Sequence, residues 1–232
     1  MFSTKECHDH NQPGHVCNHG ISATAESLDE MDFSRSIHAA CLNNNAARVQ
    51  TILSKTIRGG ISPANALDPA GYTALHYASR AGNKEICSLL LNAGADYDIK
   101  TPELGTTPLM RAIQQSHLDI ARLLVSYGAS VEAVNTNQEN VFHILAIAAK
   151  NRINSSSNKG NHEAVATVNR DMDMARWLKI KVKDQFGPER LAEMLQARDL
   201  GGQTPLECLN ISDQNQEALS ALSALSALLT VN

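Results

Sequence analysis

The sequence predicts an all-α solenoid of about five units, each a pair of helices on a short hairpin loop, with degenerate capping units at both ends. Three observations carry that expectation. The first is self-similarity. Gly71-Tyr72-Thr73-Ala74-Leu75-His76-Tyr77-Ala78 is echoed 34 residues on by Gly105-Thr106-Thr107-Pro108-Leu109-Met110-Arg111-Ala112. Glu85-Ile86, Leu89-Leu90-Leu91 and Gly94-Ala95 recur at the same offset as Asp119-Ile120, Leu123-Leu124-Val125 and Gly128-Ala129. A fixed period of this length marks a stack of supersecondary units. The second is composition: of 232 residues 43% are apolar but only 4% aromatic, so the core must be packed from small aliphatic side chains and a β-sandwich or base-stacking sheet is disfavoured. The third is punctuation, because Thr73, Thr107 and Thr204 open helices at matching places, followed by proline in two copies, and Gly71 and Gly94 recur as Gly105 and Gly128.

The elements follow in order. Residues 1–28 form a Cys/His-rich tail. Residues 29–58 hold an N-terminal capping unit, in which Ala40-Cys41-Leu42-Asn43-Asn44 followed by Val49, Ile52 and Leu53 supplies the two helices without the hairpin. In the unit at 67–100, Asp68 and Gly71 build the hairpin turn, Thr73 caps the first helix, and Gly82 and Gly94 end the two helices. Ala74, the first helical residue, is replaced by Pro108 and Pro205 in other copies, a position where proline loses nothing. Leu75, Ala78, Ile86, Leu89 and Leu90 fall at helical spacings and are predicted interior, with Ala78 and Ala112 small enough for close helix approach. The unit at 101–134 repeats this plan.

The fourth unit, 135–183, opens at Asn140-Val141-Phe142-His143. It resumes at Asp173-Met174-Ala175-Arg176-Trp177-Leu178, which copies Asp119-Ile120-Ala121-Arg122-Leu123-Leu124 with about 21 residues inserted. The Asn/Ser-rich run within 150–170 reads as a mobile insertion between the two helices. In 184–232, Gly187-Pro188-Glu189-Arg190-Leu191 starts an extra short helix, and Gly202-Gln203-Thr204-Pro205-Leu206-Glu207 opens a C-terminal capping unit closed by a helix from Ala218 to Leu229. These residues resemble ankyrin repeats, whose period is about 33 residues and whose T-P-L-H-x-A signature is matched across Thr73 to Ala78 and Thr107 to Ala112. The resemblance implies a binding module without chemistry of its own.

Charge and cysteine usage narrow the function. Twenty basic and 24 acidic residues leave a net charge of −4, which lacks the basic footprint of a nucleic-acid binder. The best apolar run, Val141 to Ala149, is far too short to span a membrane. Five cysteines at irregular positions fit a reducing compartment, and the charged, His-rich start lacks the apolar stretch of a signal peptide, so an intracellular protein is expected, cytoplasmic or nuclear. Neither a phosphate loop nor a nucleophile elbow is present, and the chain is expected to be a non-enzymatic monomer without a cofactor. His76 is expected to bond hairpin backbone groups and tie units together, and Cys41 and Cys87 to be small buried hydrophobes.

In such a stack the hairpin tips and first helices line a concave face, so the expected protein-binding residues are Tyr72, Tyr77, Arg80 and Lys100 in the second unit and Arg111 and Gln114 in the third. Tyrosine and arginine are favoured interface anchors, being large, semi-rigid and able to hydrogen-bond. The alternative is a zinc-dependent interaction module. Cys7, His10, Cys17 and His19 lie within 19 residues that hold four of the nine histidines, and thiolate with imidazole is zinc's preferred donor set. Their spacing matches no recognised zinc-finger frame.

Overall fold

The computed structural model describes residues 36–54, 62–156, 161–209 and 216–230. The helices among them are α1 Ile37–Leu42, α2 Ala46–Leu53, α3 Ala74–Ala81, α4 Lys84–Asn92, α5 Pro108–Gln114, α6 Leu118–Tyr127, α7 Val141–Ser156, α8 Asn161–Gln196, α9 Pro205–Cys208 and α10 Gln216–Leu229. A single 3-10 turn, Pro63–Asn65, precedes the second unit. Each odd-numbered helix packs on the even-numbered one that follows it. The odd helices α1, α3, α5, α7 and α9 then contact one another in succession, as do α2, α4, α6, α8 and α10. The described helices therefore form two rows, as the 34-residue repeat predicts.

Local chemistry sets the register. Asp68 Oδ1 accepts from the backbone N–H groups of Ala70 (2.9 Å) and Tyr72 (2.8 Å), closing an Asx turn that Gly71 completes at φ +78°. A Cβ on Gly71 would lie 2.4 Å from Pro102, a side chain of the next hairpin, so glycine is needed both for conformation and for stacking. Thr107 Oγ1 accepts from Met110 N, and Thr204 with Glu207 forms a reciprocal capping box. Proline fills the first helical position of α5 and α9 as expected.

Between the rows runs one apolar core. Leu75, Ala78, Ile86, Leu90, Leu109, Ala112, Ile113, Ile120 and Leu124 are fully or almost fully buried. Cys41 and Cys87 join them as free, buried thiols. Burial raises both thiols to about 12, which keeps them protonated and unreactive. Leu89 and Leu123 depart from the expectation: both are only half-buried. The helices turn Leu90, Leu91 and Leu124 inward instead, because the interior stripe is narrower than the run of leucines.

The larger correction concerns 150–170. Its described residues are helical: α7 runs to Ser156 and α8 begins at Asn161. The Asn/Ser composition hides a sparse stripe, Val141, Leu145, Ala149 and Ile153, that keeps the i, i+4 spacing and is buried to its end. Val168, Met174, Ala175, Leu178 and Val182 provide the facing stripe on α8. A polar cluster pins the pair to the third unit. Asp171, 1% exposed, pairs with Arg152 and accepts from the Ser116 hydroxyl, while Arg152 also donates to the Gln114 carbonyl (2.5 Å) and Ser116 Oγ (2.9 Å). Tertiary packing thus overrides the weak local propensity of the insert.

The extra helix expected after Gly187 is present. Gly187 at φ 89° and ψ 169° breaks α8, and Pro188 starts a segment that buries Leu191, Met194 and Leu195. Asn140 Nδ2 donates to the Met194 carbonyl (2.7 Å), and Arg190 reaches Glu132 (2.6 Å), so this segment braces the fourth unit and the end of the third.

Two outcomes follow from the packing. Leu90→Ala should cost about 2–5 kcal/mol, and Leu89→Ala clearly less, in urea unfolding; hydrogen exchange should show protection lost first in the units flanking α4. Asp171→Ala should cost about 3 kcal/mol, since it leaves the Arg152 guanidinium without its charge partner, and Asp171→Asn should cost less. Equal unfolding midpoints for wild type and Asp171→Ala would show that the cluster adds nothing.

Candidate functional site

Histidines clip the units together. His76 Nδ1 accepts from Thr73, through its N–H (3.2 Å) and hydroxyl (2.8 Å), which leaves Nε2–H to donate to the Thr106 carbonyl of the next hairpin (3.0 Å). The ring is 1% exposed and neutral: burial dominates and lowers its pKa from 6.5 to about 4. The expectation for His76 therefore holds. His143 makes the same reach to the Gln203 carbonyl (3.0 Å), and His38 bonds the Ala66 carbonyl (2.9 Å). His143 was legible three residues after Asn140, a cap that takes the place of threonine. In the third unit Met110 fills the position and is wholly buried, and the joint is made by Thr136 N donating to the Leu104 carbonyl (3.1 Å).

The clips hold up a cleft between the second and third units. Tyr72 comes from the hairpin of the second unit, Tyr77 and Arg80 from α3, and Arg111 and Gln114 from α5. Tyr77 donates its hydroxyl proton to Asp68 Oδ2 (2.6 Å), and burial with that bond raises the phenol to about 12, so it stays protonated. Arg111 donates from Nη2 to the Tyr72 hydroxyl (2.6 Å) and from Nη1 to Gln114 Oε1 (3.1 Å), with its guanidinium carbon 5.1 Å from the Tyr72 ring centroid. The Tyr72 and Tyr77 rings are 5.9 Å apart; His76 meets Tyr72 edge-on at 5.6 Å, and His38 meets Tyr77 at 5.8 Å. Together Tyr72, His76, Tyr77, Arg80 and Arg111 enclose about 180 Å³.

The expected binding residues thus divide. Tyr72, Tyr77, Arg80, Arg111 and, through Arg111, Gln114 converge on one cleft. Lys100 does not join them: its ammonium donates to the Val134 carbonyl (2.8 Å) at the neighbouring hairpin. Tyr77 and Arg111 are also less free than side chains pointing out of the stack would be, because each is half-buried and hydrogen-bonded within it. Arg80 is exposed, and its side chain makes no hydrogen bond or ion pair among the described residues. Cys7, His10, Cys17 and His19 lie outside the described residues, and no group of three metal-binding side chains occurs among the described ones.

The hairpin-linked helix pairs clipped by a buried histidine are similar to ankyrin repeats, and residues 36–135 match the family model for ankyrin repeats in three copies. The chain is 38% identical over 103 residues to human ankyrin repeat domain-containing protein 39, covering 44% of this chain and 51% of that protein. Its bovine counterpart is 41% identical over 85 residues, which span 36% of this chain and 42% of that one. A mouse B-cell lymphoma 3 protein homolog is 32% identical over 107 residues, 46% of this chain and 24% of the other. The chain therefore spans about half, or less, of the length of the curated relatives it matches. Ankyrin-repeat proteins generally mediate protein–protein interaction, and no helix among the described residues is long and apolar enough to cross a membrane.

A pH dependence follows from the clip. Folded His76 binds its proton less readily than a free imidazole, so below about pH 6.5 the unfolded chain is protonated first. Its contribution is complete above that pH and falls by about 3 kcal/mol as the pH drops towards 4. His117 and His143, also lowered chiefly by burial, act in the same direction. Urea unfolding between pH 7.5 and 4 should show a shallower acid loss in His76→Met, which installs the residue that the third unit carries at this position.

Proposed function

We propose that this chain is a non-catalytic adaptor or scaffold that holds a protein partner on the concave face formed by its hairpins and first helices. The observation that supports this reading is the Tyr72, Tyr77, Arg80, Arg111 cleft. Two aromatic rings and two guanidinium groups converge there, with internal hydrogen bonds holding Tyr72, Tyr77 and Arg111. Such groups anchor protein interfaces because they bury large area at low conformational cost. The side chains in the cleft include no nucleophile paired with a base; His76, the one imidazole lining it, is neutral with both ring nitrogens already bonded. The protein acts as a monomer without a cofactor, inside the cell, where the free thiols Cys41, Cys87 and Cys208 stay reduced.

Affinity purification with wild type and cleft variants, followed by a binding titration with the recovered partner, tests the proposal. Arg80→Ala is the discriminating change: it should weaken the partner by more than about 1 kcal/mol while shifting stability by about 0.5 kcal/mol or less. Tyr77→Ala and Arg111→Ala should weaken binding at least as much, but with a measurable stability loss, since each breaks an internal hydrogen bond. A partner held equally well by wild type and all three variants, with each folded, would place its site elsewhere on the chain.

A further inference from the structure

The cleft is built almost wholly of donors. Arg111 spends two of its five N–H groups on Tyr72 and Gln114, and Arg80 spends none of its own among the described residues. The Tyr72 oxygen accepts from Arg111, which leaves its own O–H proton to give. The nearby acceptors already hold other hydrogen bonds and neither forms an ion pair with these groups, although Asp68 keeps its charge beside Tyr77. Asp68 is committed to Ala70 N, Tyr72 N and the Tyr77 hydroxyl, and His76 is committed to Thr73 and Thr106. Elsewhere Arg152, Arg176, Arg190 and Arg198 each pair with a carboxylate. In a chain of net charge −4, two arginines facing one cleft with no acidic partner among the described residues are a distinct feature.

Resting on the concave-face reading, we propose that this cleft takes an anionic side chain of the partner, a carboxylate or a phosphorylated hydroxyl, bound between Arg80, Arg111 and the Tyr72 hydroxyl. About 180 Å³ accommodates such a group with the carbon that bears it. Arg111 is held in place by its two internal bonds and the Tyr72 ring, so little rotamer freedom is lost when it engages an oxygen pair. The flanking rings of Tyr72 and Tyr77 exclude water from one side, which strengthens the charge interaction. A cation would meet the two guanidinium groups at close range. A neutral amide would leave guanidinium donors without a matching charge.

The test uses a displayed library of random 12-residue peptides sorted on the full chain, with the enriched peptides then titrated by fluorescence anisotropy. The expected result is an Asp or Glu recurring at one position. Its change to Asn or Gln should weaken binding to wild type about tenfold or more, and have little effect on binding to the Arg80→Gln, Arg111→Gln double variant. Phosphoserine at that position should retain binding, and affinity should fall as salt rises. Unfolding curves of the single Arg80→Gln variant guard against loss of fold. Enrichment of uncharged or basic peptides, indifference to amidation, or no enrichment overturns the anionic assignment. If uncharged peptides bind and are lost on Tyr77→Ala, the concave-face reading survives without it; binding indifferent to Tyr77→Ala, Arg80→Gln and Arg111→Gln together removes both.

Discussion

A helix pair of some thirty residues has one apolar side and nothing of its own to cover it. Every feature of this protein follows from burial of that side against the next pair. Ala78 and Ala112 stand at full burial where the odd-numbered helices meet, and their small side chains set how closely the units approach. Leu75, Leu90, Leu109 and Leu124 fill the space between the rows. Stability in such an array is a sum over neighbouring contacts, so a defect in one unit is felt first by the two beside it.

Stacking buries hairpin backbone as well as side chains, and the buried carbonyls need donors. The histidine clips meet that need without importing a charge, because burial holds His76 neutral and leaves one ring N–H aimed at the Thr106 carbonyl. The same geometry constructs the cleft. Tyr77 touches His38 of the preceding unit, and Tyr72 is bonded by Arg111 of the following one. Cleft and fold therefore share side chains, and of the described residues lining the cleft Arg80 alone stands apart from the internal hydrogen bonds.

In the fourth unit the same constraint works through polar groups. The long α7 and α8 helices add a buried carboxylate to their apolar stripes, and Asp171 would be costly there by itself. Arg152 and Ser116 satisfy it from two different units, so the carboxylate is tolerable only when α7, α8 and the α5–α6 turn are all in place. The extra helix after Gly187 then packs on the fourth unit through Leu191, Met194 and Leu195.

Most of the local structure was legible in the residues themselves. Thr73, Thr107 and Thr204 mark helix starts, Gly82 and Gly94 mark ends, and the 34-residue echo between Thr73 and Thr107 declares a repeat, because capping and turn geometry depend on side chains a few residues apart. His76 could be assigned its role for the same reason. What the tertiary structure alone decided is which side chains meet across units. Leu89 proved half-buried while Leu90 turned inward, since the width of the interior stripe depends on the neighbouring helix. The described residues on either side of the Asn/Ser run are helical, with Asp171, Ile153 and Val168 packed on partners distant in sequence. The convergence of Tyr72, Tyr77, Arg80 and Arg111, and the departure of Lys100 towards Val134, likewise depend on contacts between the second and third units, which no short window of the sequence contains.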